Sequence, residues 1–161
     1  MEYYRVDSYT ARGSIGYLVR RARNLMSARV EAAFTEHEIT FVQWLVLLQL
    51  RDGIANTAAE MCRDMCHDSG ALTRVIDQLE QRGHLTRQRS VDDRRIVTLH
   101  ITDDGLKVVE SLIPLVVDLL NRAVAKFTPD EVDTLTRLLT RLIDDVAEIP
   151  VESPSQLEPA P

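Results

Sequence analysis

The residues with the clearest chemical potential are arginines near the middle of the chain, where four fall within nine positions: Arg87, Arg89, Arg94 and Arg95. Guanidinium groups neutralise phosphate oxygens, and an arginine can enter the narrow, electronegative minor groove of DNA. Asp92 and Asp93 stand beside the last two arginines, and an Asp there can hold a guanidinium through paired hydrogen bonds. The cluster therefore predicts docking to a phosphate backbone; the alternative is a solvated surface whose salt bridges contribute little.

The net charge of the 161-residue chain, −6, is opposite to what phosphate binding requires, but the charge is unevenly distributed. Basic and acidic residues number 7 and 7 in 1–62, 7 and 6 in 63–95, and 5 and 12 in 96–161. The acidic excess therefore belongs to the C-terminal part, and the middle of the chain can still present a small basic patch.

Two cysteines, Cys62 and Cys66, lie four positions apart, which places them one turn apart on one face of a helix. A disulfide there would join neighbours and constrain little. We interpret both as small apolar residues in a reducing compartment; the alternative is thiol sensing, or metal capture together with His67. The two-residue gap of common zinc sites is absent, so we predict no metal site and no cofactor.

The scaffold predicted for these residues is mainly helical. An apolar content of 45% with few aromatics, Gly or Pro favours helices over a β-sandwich. Apolar residues recur at three- and four-residue steps over 13–36, which predicts a long amphipathic helix. A second helix begins at the capping box of Thr40 and Gln43 and stops at Gly53, and because apolar residues surround it we expect it in the core.

Two short helices and a hairpin are predicted next. Thr57 opens the first short helix through another capping box, and Asp68 is the N-cap candidate of a helix over 68–82 that ends at Gly83. After Gly83, apolar and polar residues alternate and β-branched residues become frequent, which predicts two strands with a turn between them at 92–93.

The C-terminal part is predicted to form two long amphipathic helices over 103–147, of which the first contains Pro114, a residue that should bend or break it. Four prolines and no apolar period predict a disordered tail over 149–161. We therefore expect a mainly α fold with a small β-hairpin, forming one unit over 1–148 whose winged helix-turn-helix spans about 54–102.

In a helix-turn-helix, the N-terminal residues of the second helix face base edges in the major groove, so they should be small or polar and exposed. The predicted contacts on this helix lie off its apolar stripe and are Asp68, Ser69, Gly70, Ala71, Thr73, Arg74 and Asp77. Arg74 can reach a guanine or a phosphate, and the hydroxyl of Ser69 or Thr73 can serve either. The alternative is the solvated face of an ordinary helix, and the arginine-bearing hairpin that follows favours DNA binding.

The chain resembles the MarR family (multiple antibiotic resistance regulator) of transcription factors. The resemblance is carried by TRVIDQLEQRGHL at 73–85, DDRR at 92–95 and LHITDDG at 99–105, and it extends over about 13–147. It implies a homodimer whose winged modules read a pseudo-palindrome in double-stranded DNA, joined by the first helix and the last two. It also implies that an arginine of the wing enters the groove, through either the pair Asp92 and Arg94 or the pair Asp93 and Arg95.

The same resemblance implies that the protein represses genes and leaves its operator when a small phenolic or other anionic ligand enters a cleft between the dimerisation helices and the winged module. The residues at matching positions are Tyr17, Arg21 and Trp44, although an aromatic on an apolar stripe can equally belong to the core. A regulator that responds to thiol oxidation or metal through Cys62 and Cys66 is the alternative, and activation instead of repression stays open.

Other classes of protein fit the sequence less well. No glycine-rich phosphate loop is present and glycines total only 6, so we predict no enzyme. A helical adaptor that uses the winged module for protein contacts is the rival hypothesis. Neither a signal core nor a run of about eighteen apolar residues is found, so we expect a cytoplasmic protein with no membrane partner.

Overall fold

The computed structural model describes residues 3–65, 68–89 and 96–150, and the chain divides into two compact units, 1–120 and 121–161. The helices are α1 Ile15–Phe34, α2 Phe41–Asp52, α3 Ala58–Met65, α4 Ser69–Gln81, α5 Asp103–Ala123 and α6 Pro129–Ala147, and the strands are β1 Leu85–Arg89 and β2 Val97–Ile101. Two single-turn 3-10 helices, Val6–Ser8 and Ala11–Gly13, precede α1. The predicted fold class, mainly α with a small β-hairpin, is confirmed.

The core of the first unit is built around α2. Val46 and Leu47 of this helix are fully buried, and they belong to one cluster with Met61 of α3, Ile76 of α4 and Val109 of α5. Burial of each such side chain stabilises the fold by about 1.5–3 kcal/mol. Packing against α2 therefore holds α3 and α4 in place. The expectation that α2 lies in the core is confirmed.

The helix boundaries follow from local capping chemistry. Thr40 Oγ1 accepts from the Gln43 backbone N–H at 3.2 Å, while Gln43 Oε1 accepts from the Thr40 N–H at 3.0 Å, which closes the predicted capping box. Gly53 and Gly83 have φ of 66° and 76°, the left-handed conformation in which glycine carries no steric cost. Helices α2 and α4 therefore end where the sequence predicts.

The capping box of α3 carries a carboxylate with a shifted pKa. The pKa of Glu60 lies below its ordinary value, chiefly because the Asn56 backbone N–H donates to Oε2 at 3.0 Å, and also because of the Thr57 hydroxyl. A depressed pKa means that the stabilising effect is complete above the unfolded-state value of 4.5 and is lost as pH falls through the lower, folded-state value.

We therefore expect the wild-type chain to lose more stability on acidification than the variant Glu60→Gln, which keeps an acceptor oxygen but has no titrating charge. Urea midpoints measured between about pH 7 and about pH 3 test this. Glu31→Gln, on the exposed surface of α1, is the control. Parallel pH profiles for wild type and Glu60→Gln would contradict the prediction.

The wing strands pair antiparallel, with Leu85 opposite Ile101 and Arg89 opposite Val97. Leu85 and Leu99 are the buried residues of the ladder, and the Leu99 N–H donates to the Asn56 carbonyl at 2.7 Å. The hairpin is thus attached both to the core and to the segment before α3. The turn predicted at 92–93 lies outside the described residues.

Helix α5 continues through Pro114, so of the two predicted outcomes, a bend or a break, the break does not occur. Its start is fixed by Thr102, whose Oγ1 accepts from the Gly105 N–H at 3.1 Å and donates to the Gly83 carbonyl at 2.7 Å. In the second unit, α6 begins with the predicted capping box of Thr128 and Glu131 and buries none of its residues. No helix in the described part of the chain is long and apolar enough to cross a membrane.

Candidate nucleic-acid interface

Helix α4 has a buried side and an exposed side that the sequence separates cleanly. Leu72, Ile76 and Leu79 are buried against the core. The predicted contact residues of this helix are all exposed: Asp68, Ser69, Gly70, Ala71, Thr73, Arg74 and Asp77. The helix therefore presents small and polar side chains at its N-terminal end, as insertion into a major groove requires.

Asp68 holds the first turn of α4. Its Oδ1 accepts from the backbone N–H groups of Gly70 and Ala71, both at 3.0 Å. A Cβ at position 70 would stand 3.2 Å from the same Oδ1, which is tighter than ordinary contact. The carboxylate that caps the helix thus favours glycine at position 70, and the backbone there is open to an approaching phosphate or base.

The exposed side of α4 carries a hydroxyl that already donates a hydrogen bond and a cation that is exposed to solvent. Thr73 Oγ1 donates to the Ser69 carbonyl at 2.8 Å, so its hydrogen is turned to the helix and its lone pairs are outward. Arg74 is exposed, and within the described residues no carboxylate lies at ion-pair distance from it. Arg74 is accordingly available for phosphate or guanine.

Arg87 belongs to the arginine cluster that the sequence predicts to bind phosphate, but its guanidinium is bonded to carboxylates of α4. Its Nη2 donates to Asp77 Oδ1 at 2.6 Å, and its Nη1 donates to Glu80 Oε2. Burial alone would lower the pKa of Arg87, but the bonds to Asp77 and Glu80 outweigh this and raise it above the ordinary value. The guanidinium fastens β1 to α4, so two predicted DNA contacts, Asp77 and Arg87, here satisfy each other.

The remaining predicted contacts belong to the wing. Arg89 is exposed at the end of β1, opposite Val97, where the hairpin leaves the body of the first unit. The loop residues Asp92, Asp93, Arg94 and Arg95 lie outside the described residues. Their DNA contacts stay a prediction.

Two glutamines hold the two short helices to α2 through bonds that no local sequence pattern predicts. Gln43 Nε2 donates to Gln78 Oε1 at 2.8 Å, which joins the capping box of α2 to the recognition helix α4. Gln49 Nε2 donates to Asp64 Oδ2 and joins the same helix to α3. Gln43 and Gln49 are buried while their partners Gln78 and Asp64 are exposed, so each bond joins a buried side chain of α2 to the surface of a short helix.

The residues predicted for ligand binding differ in exposure. Trp44 is 4% exposed, stacks on Phe41 and donates its indole N–H to the Val109 carbonyl at 3.2 Å, which makes it part of the core. Tyr17 is half-buried and Arg21 is exposed on α1. Cys62 is a partly buried free thiol, and its predicted partners in the alternative reading, Cys66 and His67, lie outside the described residues.

Comparison with known proteins agrees with this geometry. A sequence profile of the MarR family matches residues 39–97, from the start of α2 into β2. The multiple antibiotic resistance protein MarR of Salmonella typhimurium is 33% identical over 107 residues, which cover 66% of this chain and 74% of that protein.

Solved structures extend the similarity beyond the profile. A cysteine-to-serine mutant of MarR from E. coli, complexed with operator DNA, superposes with a TM-score of 0.67 at 29% identity, covering 80% of this chain and 92% of that one. BpsR of Bordetella bronchiseptica, whose DNA binding is regulated by 6-hydroxynicotinic acid, superposes with a TM-score of 0.71 at 26% identity, covering 84% and 97%. The likeness thus includes helices on both sides of the winged module.

Proposed function

The chain belongs to the MarR family of transcriptional regulators, and from this we propose that two copies bind a pseudo-palindromic operator, repress transcription and leave the DNA when a small ligand binds. The observation that carries the proposal is the exposed N-terminal end of α4. Asp68 caps it, small residues surround it, and Arg74, which pairs with no carboxylate of the described residues, stands on the side away from the core. A recognition helix needs this combination to approach base edges.

The proposed dimer is supported by apolar side chains that one chain leaves uncovered. On α1 they include Ile15, Leu18, Leu25 and Met26, and on α6 they include Leu135, Leu138, Leu139, Ile143 and Val146. Exposed apolar stripes of this kind, on each helix taken by itself, mark association sites. A two-fold dimer would cover it and would place two recognition helices for two half-sites.

The proposed ligand response is supported by the similarity to BpsR, where a small aromatic acid regulates DNA binding. The ligand must bind more tightly to a dimer whose recognition helices are wrongly spaced for DNA than to the dimer that fits DNA. DNA affinity then falls by the difference between these two ligand-binding free energies. Tyr17, Arg21 and Trp44 stay predictions as ligand contacts. We also place the protein in the cytoplasm, where its operator would be.

The test is to select genomic fragments that the purified chain retains and to titrate them at several salt concentrations. We expect sequence-specific binding with steep salt dependence, and the double variant Arg94→Ala, Arg95→Ala should bind at least about tenfold more weakly at matched salt. An unchanged affinity would overturn the wing assignment. A complete lack of salt-dependent DNA binding by the wild-type chain would overturn the function itself and favour the adaptor hypothesis.

A further inference from the structure

A small cavity of about 190 Å³ lies in the segment before α1, and three tyrosines line it: Tyr3, Tyr4 and Tyr9. The ring centroids of Tyr3 and Tyr4 are 5.1 Å apart and those of Tyr4 and Tyr9 are 6.2 Å apart, with interplanar angles of 89° and 68°. Rings that meet at such steep angles can form the walls of a cage around one ligand group. We call this cavity the tyrosine cup.

The three rings of the tyrosine cup do not belong to the core. Tyr3, Tyr4 and Tyr9 are 75%, 45% and 60% exposed, although aromatic side chains gain much free energy from burial. A single exposed aromatic ring is ordinary on a protein surface, whereas several that line one cavity indicate an interaction site. The cup therefore offers open aromatic surface to a ligand.

Local contacts hold the cup in shape. The Tyr4 hydroxyl accepts from the Ile15 backbone N–H at 2.8 Å, which ties the central ring to the first turn of α1. Gly13 also lines the cup, and a Cβ at this position would stand 2.9 Å from Thr10 Oγ1. A side chain at position 13 would thus displace this wall, and glycine leaves it in place.

Arg5 carries the only charge among the described residues that line the cup. Within the described residues no carboxylate lies at ion-pair distance from it. Aromatic faces attract a cation that lies within about 6 Å of the ring centroid, and quaternary ammonium groups are typical ligands of aromatic cages. Arg5 would repel a ligand with only a positive charge, but it would pair with a carboxylate on the same ligand. The lining therefore favours a zwitterion.

We propose that the tyrosine cup binds a small zwitterion composed of a trimethylammonium group and a carboxylate. The methyl groups lie against the three tyrosine faces, and the carboxylate pairs with Arg5. The cavity is smaller than the roughly 300–1,000 Å³ of sites for drug-sized ligands, so the ligand has only a few non-hydrogen atoms. This site goes beyond the proposed function, because it uses none of the residues assigned to DNA binding.

The experiment is a calorimetric titration of the full chain with glycine betaine in the absence of DNA. The matched comparison is 3,3-dimethylbutyrate, which has the same shape and carboxylate but an uncharged carbon in place of the quaternary nitrogen. We expect betaine to bind at least about tenfold more tightly than this isostere, because only the cation is attracted to the ring faces. Choline, which has the cation without the carboxylate, should also bind at least about tenfold more weakly than betaine.

Substitutions in the cup distinguish ligand contacts from merely structural residues. Tyr3→Leu should weaken betaine binding about two- to fivefold, whereas Tyr3→Phe keeps the ring and should bind as wild type does. Arg5→Gln should weaken betaine but strengthen choline, because it removes both the partner of the carboxylate and the repulsion of the cation. A structural role of Arg5 would change both affinities in the same direction. Phe127→Leu, which removes an exposed ring outside the cup, is the control and should leave betaine affinity unchanged.

Three results would overturn the proposal. They are a lack of saturable betaine binding, equal affinities for betaine and 3,3-dimethylbutyrate, and wild-type betaine affinity in both Tyr3→Leu and Arg5→Gln. Because Tyr3 is largely exposed, its replacement should leave the fold intact, and circular dichroism of the variant checks this. The titrations contain no DNA, so their failure would leave the proposed operator binding untouched.

Discussion

Replacing Arg74 by alanine is expected to weaken operator binding by about ten- to a hundredfold, the equivalent of roughly 1–3 kcal/mol. Arg74 stands exposed on α4, and no described carboxylate pairs with it, so its guanidinium needs no internal bond to be broken before it meets DNA. Fluorescence anisotropy with an operator fragment, repeated over a range of salt, measures both the affinity and its salt slope.

The form of the loss identifies what Arg74 contacts. A phosphate contact predicts weaker binding to all sequences and a salt slope smaller by about one, whereas a guanine contact predicts relaxed specificity at one base pair. Arg141→Ala, which removes an exposed arginine from α6, is the control and should leave the affinity unchanged. If Arg74→Ala binds like wild type while this control also does, α4 is not inserted in the way proposed.

Arg87 differs from Arg74 in a way that only the structure shows. The sequence places Arg87 and Arg74 in the same class of phosphate-binding cations, but Arg87 is bonded to Asp77 and Glu80. Its removal would loosen β1 from α4 and leave two carboxylates facing the DNA side without their partner. A loss of affinity in Arg87→Ala would thus come with a loss of thermal stability, which Arg74→Ala should not show.

Features fixed by neighbours in the chain could be predicted closely. The helix predicted over 68–82 is observed as Ser69–Gln81 with Asp68 and Arg82 as its caps, and the capping boxes at Thr40, Thr57 and Thr128 are present. A hydroxyl that caps the third amide beyond it, or a glycine with positive φ, depends only on a few adjacent residues. This is why the boundaries were accurate within a residue or two.

Features fixed by residues far apart in the sequence could not be predicted. The bond between Gln43 and Gln78 spans 35 positions, and it exists only because α2 and α4 cross at that point. Trp44 could belong to a pocket or to the core by its spacing, and only the structure shows that it packs against Phe34 and Phe41.

The second large effect is expected from the apolar stripe of α6. The double variant Leu139→Glu, Ile143→Glu puts two carboxylates on a stripe where Ile143 is 67% exposed in the single chain. Burying these two carboxylates in a dimer interface would cost far more free energy than burial of the remaining apolar side chains contributes. We therefore expect a monomer by size-exclusion chromatography with light scattering. Operator affinity should fall by about a hundredfold or more, because the second half-site is no longer bound intramolecularly.

The control for this variant is Arg137→Glu, on the opposite side of α6, which changes the net charge by the same amount without touching the stripe. It should remain dimeric and bind as wild type does after allowance for salt. Circular dichroism must show a folded chain for both variants, which is expected because α6 buries none of its residues in the single chain. A folded, monomeric double variant with undiminished operator affinity would mean that one copy suffices, and the pseudo-palindromic mode of reading would have to be abandoned.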